Sequence, residues 1–214
     1  MIEEALRINQ RYLTEIVEAF DICPFARPAR SGGALARRVL LDATPDVAPS
    51  LAQIDALAAD AAIEVAVLIY PRLALSAPRF DEFVAALRAA DEARRPPPFA
   101  LAMFHPDASF GRDSPQRLVM FFRHTPDPTI QLVRFSVLDA VKRGAPADKF
   151  VFDGSARAWA ELQRRSETLS VSDRIARQNF ATVEEQGLER LEEILRDIRA
   201  DRDRSYARCA ATGR

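Results

Sequence analysis

His105, His124, Cys23 and Cys209 are the only imidazoles and thiols in 214 residues. A four-ligand His/Cys zinc site would need all four together, and they lack the close pair spacing that such sites use. Two cysteines make at most one bridge, which excludes a disulfide scaffold. What the residue types allow is a site with one or two protein ligands, or a single thiol–imidazole pair.

Two segments concentrate this chemistry. In Asp21-Ile22-Cys23-Pro24-Phe25-Ala26-Arg27-Pro28, a thiol follows an amphipathic helix at a proline-fixed turn. With Arg27 and Arg30 near, these are the neighbours of a thiolate of depressed pKa. In Phe104-His105-Pro106-Asp107-Ala108-Ser109-Phe110-Gly111-Arg112, an imidazole ends a strand. Loops at that position hold ligands in layered α/β folds. Each residue also suits a structural role: Cys23 as a small buried hydrophobe, His105 as a hydrogen-bonded core histidine. His124 reads as an exposed turn residue and Cys209 as incidental, in a frayed tail.

Three functions compete on this basis. The leading expectation is a haem-dependent oxidoreductase, because haem brings four nitrogens of its own and needs one or two protein ligands. His105 would be its axial iron ligand, with Cys23 next in order. Phe104 and Phe110, with Phe121 and Phe122, would line the pocket; Arg27, Arg112 or Arg123 would meet the propionates. The alternative is a cofactor-free enzyme with Cys23 as nucleophile, His105 as base and Asp107 or Asp21 as orienting acid. The second alternative is a non-catalytic binding or assembly protein, a homodimer joined through its C-terminal helices. Other sites are excluded by missing motifs. There is no glycine-rich phosphate loop, no G-x-G-x-x-G, no G-x-S-x-G and no H-E-x-x-H.

The elements that must position these residues follow from periodicity. Ile2, Leu6, Asn9, Leu13, Ile16, Val17 and Phe20 form one helical stripe, expected to stop near Cys23-Pro24. Arg27 to Gly33 reads as a loop and Ala36 to Leu41 as a strand. Val47, Leu51, Ile54 and Leu57 mark a second helix; Ile63 to Tyr70 is the clearest strand, closed by Pro71. Phe80, Phe83, Val84 and Leu87 give a third helix, stopped by Pro96-Pro97-Pro98, and Phe99 to Phe104 a third strand. Leu118 to Phe122 reads as a fourth strand. Ile130, Val133, Val137 and Val141 then mark a helix closed by Gly144. Val171, Ile175, Asn179 and Val183 form one late stripe, and Leu188, Leu191, Ile194, Leu195 and Ile198 another, separated at Gly187. Ser205 to Arg214 is expected to fray.

The expected fold class is α+β: a small mixed sheet covered by helices, with a C-terminal helical hairpin. Residues 1–150 form the layered unit carrying both segments. Residues 151–214 form a helical extension packing on the same core or on a partner subunit. Net charge is −1 and pI about 6.2, giving no global electrostatic reason to bind nucleic acid or an anionic membrane. All but two of the 30 basic residues are arginine. Charges throughout residues 1–20 are unlike a signal peptide, and Val65 to Tyr70 is too short to span a bilayer. The expectation is a cytoplasmic protein acting on a small molecule, with reduced cysteines.

One resemblance emerges from these segments. ICPFA, then FHPDASF, then Thr125-Pro126-Asp127-Pro128 before Leu132-Val133-Arg134 is similar to the bacterial family called domain of unknown function 1415. The resemblance spans roughly Ala19 to Arg143 and carries over Cys23, Pro24, Phe25, Ala26, Phe104, His105, Pro106 and Phe110. Ala108 and Ser109 stand where the family usually has an aromatic, and the segment containing Leu118 to Phe122 departs from its pattern. The resemblance names relatives and implies no reaction.

Overall fold

The computed structural model describes residues 1–109, 121–144, 179–183 and 185–211. Four short strands make the sheet: β1 (Leu35–Val39), β2 (Val65–Ile69), β3 (Phe99–Phe104) and β4 (Thr129–Arg134). Their order is β1-β2-β4-β3. β1 and β2 are parallel, while β4 runs antiparallel to both β2 and β3. The sheet is therefore mixed, and with its helices the fold is α+β as the periodicity predicts.

The sheet's two faces carry different layers. Ala66 and Leu68 of β2, Ile130 and Leu132 of β4, and Phe99 and Met103 of β3 face one way. They pack against α3 (Val47–Ala59) and α4 (Ala77–Glu92), through Ile54, Leu57, Phe80, Val84 and Leu87. Asp46 caps α3 by accepting from the Ala48 amide at 3.0 Å. This dry layer holds the sheet rigid. The opposite face, carrying Val65, Val67, Ala102, Phe104, Thr129, Gln131 and Val133, lines a cavity.

The wall over that cavity begins with α1 (Ile2–Tyr12), which continues directly into a π-helix at Leu13–Glu18. The long helix expected to reach Cys23 is thus shorter and wider-wound, and Pro24 does not end it. Asp21 takes φ +50°. Ile22 N–H bonds to Val17 C=O at 2.9 Å and Asp21 N–H to Glu18 C=O at 3.4 Å. This is the paired closure of a left-handed helix cap, with Asp in the position glycine usually fills. The expected loop after it is instead a short helix, α2 (Ala26–Ser31), which tolerates Pro28 because a first-turn amide needs no intrahelical partner.

Two further readings are corrected. Thr129–Arg134 is a strand, not the start of a helix: its alternating residues supply both faces of the sheet, and helix α5 (Phe135–Gly144) begins only afterwards. Phe121–Arg123 is a single 3₁₀ turn rather than strand, and Leu118 to Met120 lie outside the described residues. At the C-terminal end, residues 179–183 and 185–186 are helical, and Gly187 at φ +83° separates them from α6 (Leu188–Ala211). Val171 and Ile175 lie outside the described residues.

Helix α6 lies on α1. Leu191, Leu195 and Ile198 share a core with Ile8, Tyr12, Ile16, Phe121 and Phe122. Polar contacts flank it, with Arg7 forking onto Asp201 at 2.7 and 2.9 Å and Arg11 reaching Asp201 and Asp197, each at 2.8 Å. The expected frayed tail is ordered as far as Ala211, with Ser205 buried beside Arg7. No helix among the described residues is long and apolar enough to cross a membrane.

Candidate functional site

Between the sheet's second face and the α1–π wall lies a cavity of about 260 Å³. Leu13, Val17, Ile22 and Phe25 line it from the wall, and Val65, Val67, Ala102 and Val133 from the sheet. The π-helix supplies Leu13 and Val17, one helical turn beyond Asn9 and Tyr12. Such a widened turn is a feature often found at functional sites. Few polar side chains interrupt this apolar lining: Cys23, Gln131, Thr125, Thr129, Asn9, Asn179, Tyr12 and Arg123. A mostly apolar hollow with a few polar groups is the general form of a small-molecule site.

Cys23 sits where Pro24 turns the chain into α2. Gln131 Nε2 lies 3.9 Å from its Sγ. Burial pushes the thiol pKa up, Asp21's charge adds to this, and the Phe25 amide, Gln131 side chain and Ala26 amide pull it back. The upward shift corrects the expected depressed thiolate. Both arginines invoked for it are held elsewhere: Arg30 forks onto the Glu18 carboxylate at 2.5 and 2.8 Å, and Arg27 donates to the Glu18 carbonyl. Although desolvated, Cys23 retains part of its accessible surface, and that surface borders the cavity.

His105 is placed differently. It is 1% exposed and does not line the cavity. Its Nε2 donates to the Leu75 carbonyl at 2.9 Å, and its Nδ1 accepts the Asp107 amide at 3.0 Å. These partners define the neutral Nε2–H tautomer, and burial lowers the pKa accordingly. Asp107 thus meets His105 through its backbone amide. Phe80 stacks obliquely on the ring, with centroids 5.9 Å apart. His105 is a joint between the end of β3 and the Leu75 segment, and Cys23 and His105 do not share the cavity.

Of the expected site residues, Cys23, Phe104 and Arg123 come together at the cavity, while Arg27, His105 and Asp107 do not. Phe110 and Arg112 lie outside the described residues. His124 is not an exposed turn residue: it is half-buried, stacks near Phe121 at 5.5 Å between centroids, and bonds the Ala108 carbonyl.

Sequence reasoning passed over several polar groups. Asn179 is 1% exposed and borders the cavity, and its Oδ1 has no hydrogen-bond partner. Asn9 borders it as well, 8% exposed. Each is an amide on an otherwise apolar helical stripe, and that misfit was the available signal. Gln131 carries the same signal inside a strand. Asp127, which does not line the cavity, was visible only within the Thr125-Pro126-Asp127-Pro128 turn. Its carboxylate accepts from Tyr206 at 2.7 Å, with Arg202 3.9 Å away, and burial pushes its pKa up to about 6. Its backbone carbonyl accepts the Thr125 and Thr129 hydroxyls at 2.6 and 2.9 Å. Tyr206 lies 79 residues away in the chain, so only the tertiary fold reveals the pair.

The geometry defines an α+β protein with a small, largely apolar cavity bordered by one thiol. The chain belongs to the family described as "Protein of unknown function (DUF1415)", whose model matches residues 4–166. No curated protein and no solved structure matches it. Among the described residues, no group of three or more His, Cys, Asp or Glu is placed to hold a metal ion.

Proposed function

We propose that this protein is a small-molecule enzyme whose substrate enters the cavity between sheet and π-helix, with Cys23 as the group that acts on it. The observation carrying this reading is that the Cys23 thiol, with the Gln131 amide 3.9 Å from its sulfur, borders a hollow whose lining is mostly apolar. A thiolate formed there meets the amides of Phe25, Ala26 and Gln131, which favour the charged sulfur. No carboxylate or imidazole lines the cavity among the described residues, so the thiol proton leaves to solvent or to the substrate itself. His105 as base or as axial haem ligand would first have to break one of its two backbone hydrogen bonds, so neither role forms part of this proposal.

The test uses the two cysteines against each other. Iodoacetamide at pH 9 is expected to modify Cys23 through the cavity, with Cys209 as internal reference. Val67→Phe, which fills the hollow from a sheet position, is expected to slow labelling at Cys23 at least tenfold and leave Cys209 unchanged. Equal labelling of Cys23 in both folded proteins would show that the thiol is reached by another route.

A further inference from the structure

We infer that the ligand of this cavity is a small organic acid with an apolar body, its carboxylate held by Arg123. This rests on the cavity being the site, and it goes further by naming the ligand's chemistry.

Charge is the first observation. Arg123 is the one formally charged side chain among the described residues that line the cavity. Its guanidinium lies 6.0 Å from the centroid of the Phe104 ring, which borders the same hollow. No carboxylate among the described residues comes within ion-pair distance of it. Asp81 of α4 is the acid that acts on it at longer range, and desolvation outweighs that attraction, lowering the pKa. A half-buried cation without a close counter-ion is open to an anion, and a bidentate carboxylate is the partner its fork fits best.

Size limits the rest. A cavity of about 150 Å³ takes benzene, so 260 Å³ suits a ligand of roughly ten non-hydrogen atoms.

Octanoate and octanamide are suitable probes, read as protection of Cys23 from iodoacetamide with Cys209 as reference. Octanoate is expected to protect at concentrations at least tenfold lower than octanamide, and Arg123→Gln to cancel that ratio. Arg123→Met, which keeps an apolar stem on Phe104, gives the same reading if the Gln variant does not fold. Equal protection by acid and amide overturns the carboxylate assignment and leaves the cavity reading standing. A Cys23 that iodoacetamide does not reach in the folded protein overturns the proposed function and this inference with it.

Discussion

Cys23 meets two opposing influences: desolvation favours its thiol, while the Phe25, Gln131 and Ala26 amides favour its thiolate. Desolvation is the larger, so its alkylation rate is expected to rise only above the ordinary thiol range of about 8.5. Gln131→Leu removes one stabilising amide and shifts that rise to still higher pH, as labelling rates measured across pH 7–11 would show. Asp127 gives the second residue-scale prediction. Its pKa of about 6 lies above the ordinary value, so the folded state binds its proton more tightly than the unfolded chain does. Its contribution is fully present below about pH 4 and is lost as pH rises through 6. Asp127→Asn removes that dependence while still offering Tyr206 an acceptor. Relative to wild type, the variant is expected to gain roughly 2–3 kcal/mol between pH 4 and 7.5, measured by urea unfolding. His105 slopes the other way. Its lowered pKa gives stability that is present above about pH 6.5 and is lost on acidification. The placement of Cys23 at an element end was readable from Cys-Pro; the two backbone bonds of His105 were not. An imidazole bonded to two backbone groups has the same sequence signature as a free one.

At the scale of elements, β4 shows where periodicity misleads. Ile130, Val133, Val137 and Val141 do fit a helical spacing, but Ile130 and Leu132 face one layer while Thr129, Gln131 and Val133 face the other. Thr129-Ile130-Gln131-Leu132 does alternate polar with apolar, but Val133 ends the alternation after four residues and the helical spacing masks it. Its partners lie more than sixty residues before it in β2 and about thirty before it in β3, contacts that no local window contains. The clearest strand, β2, and the amphipathic helices α3 and α4 were legible because each meets its core on a face defined within a few residues. Leu132 is fully buried between β2, β3 and α4's layer, so Leu132→Ala is expected to cost about 2–5 kcal/mol. A urea midpoint shift without a change of slope would mark it as loss of packing rather than loss of the sheet.

For the molecule as a whole, α6 closes the structure by clamping α1 from outside. Asp201 receives Arg7 and Arg11 together, and their guanidiniums hold its carboxyl well below the usual range. Its contribution is therefore present above about pH 4 and is lost as pH falls below that. The site is partly exposed, so Asp201→Asn is expected to cost about 1 kcal/mol at pH 7, less in high salt. Thermal unfolding in low and high salt reads both effects. Because α1 is also the cavity's wall, the same variant should loosen protection of Cys23. The C-terminal helix was legible as an amphipathic stripe, but its hold on the site was not, because the ion pairs join residues nearly two hundred apart.

The π-helix at Leu13–Glu18 has a consequence for how this chain tolerates insertion and deletion. A single residue corresponds to about 100° of rotation in an ordinary helix. A π turn holds one residue more than an α turn, so a one-residue deletion within Leu13–Glu18 is absorbed by a return to the common winding. Ile22 and Cys23 then keep their direction toward the sheet, whereas the same deletion within α1 would turn them away from it.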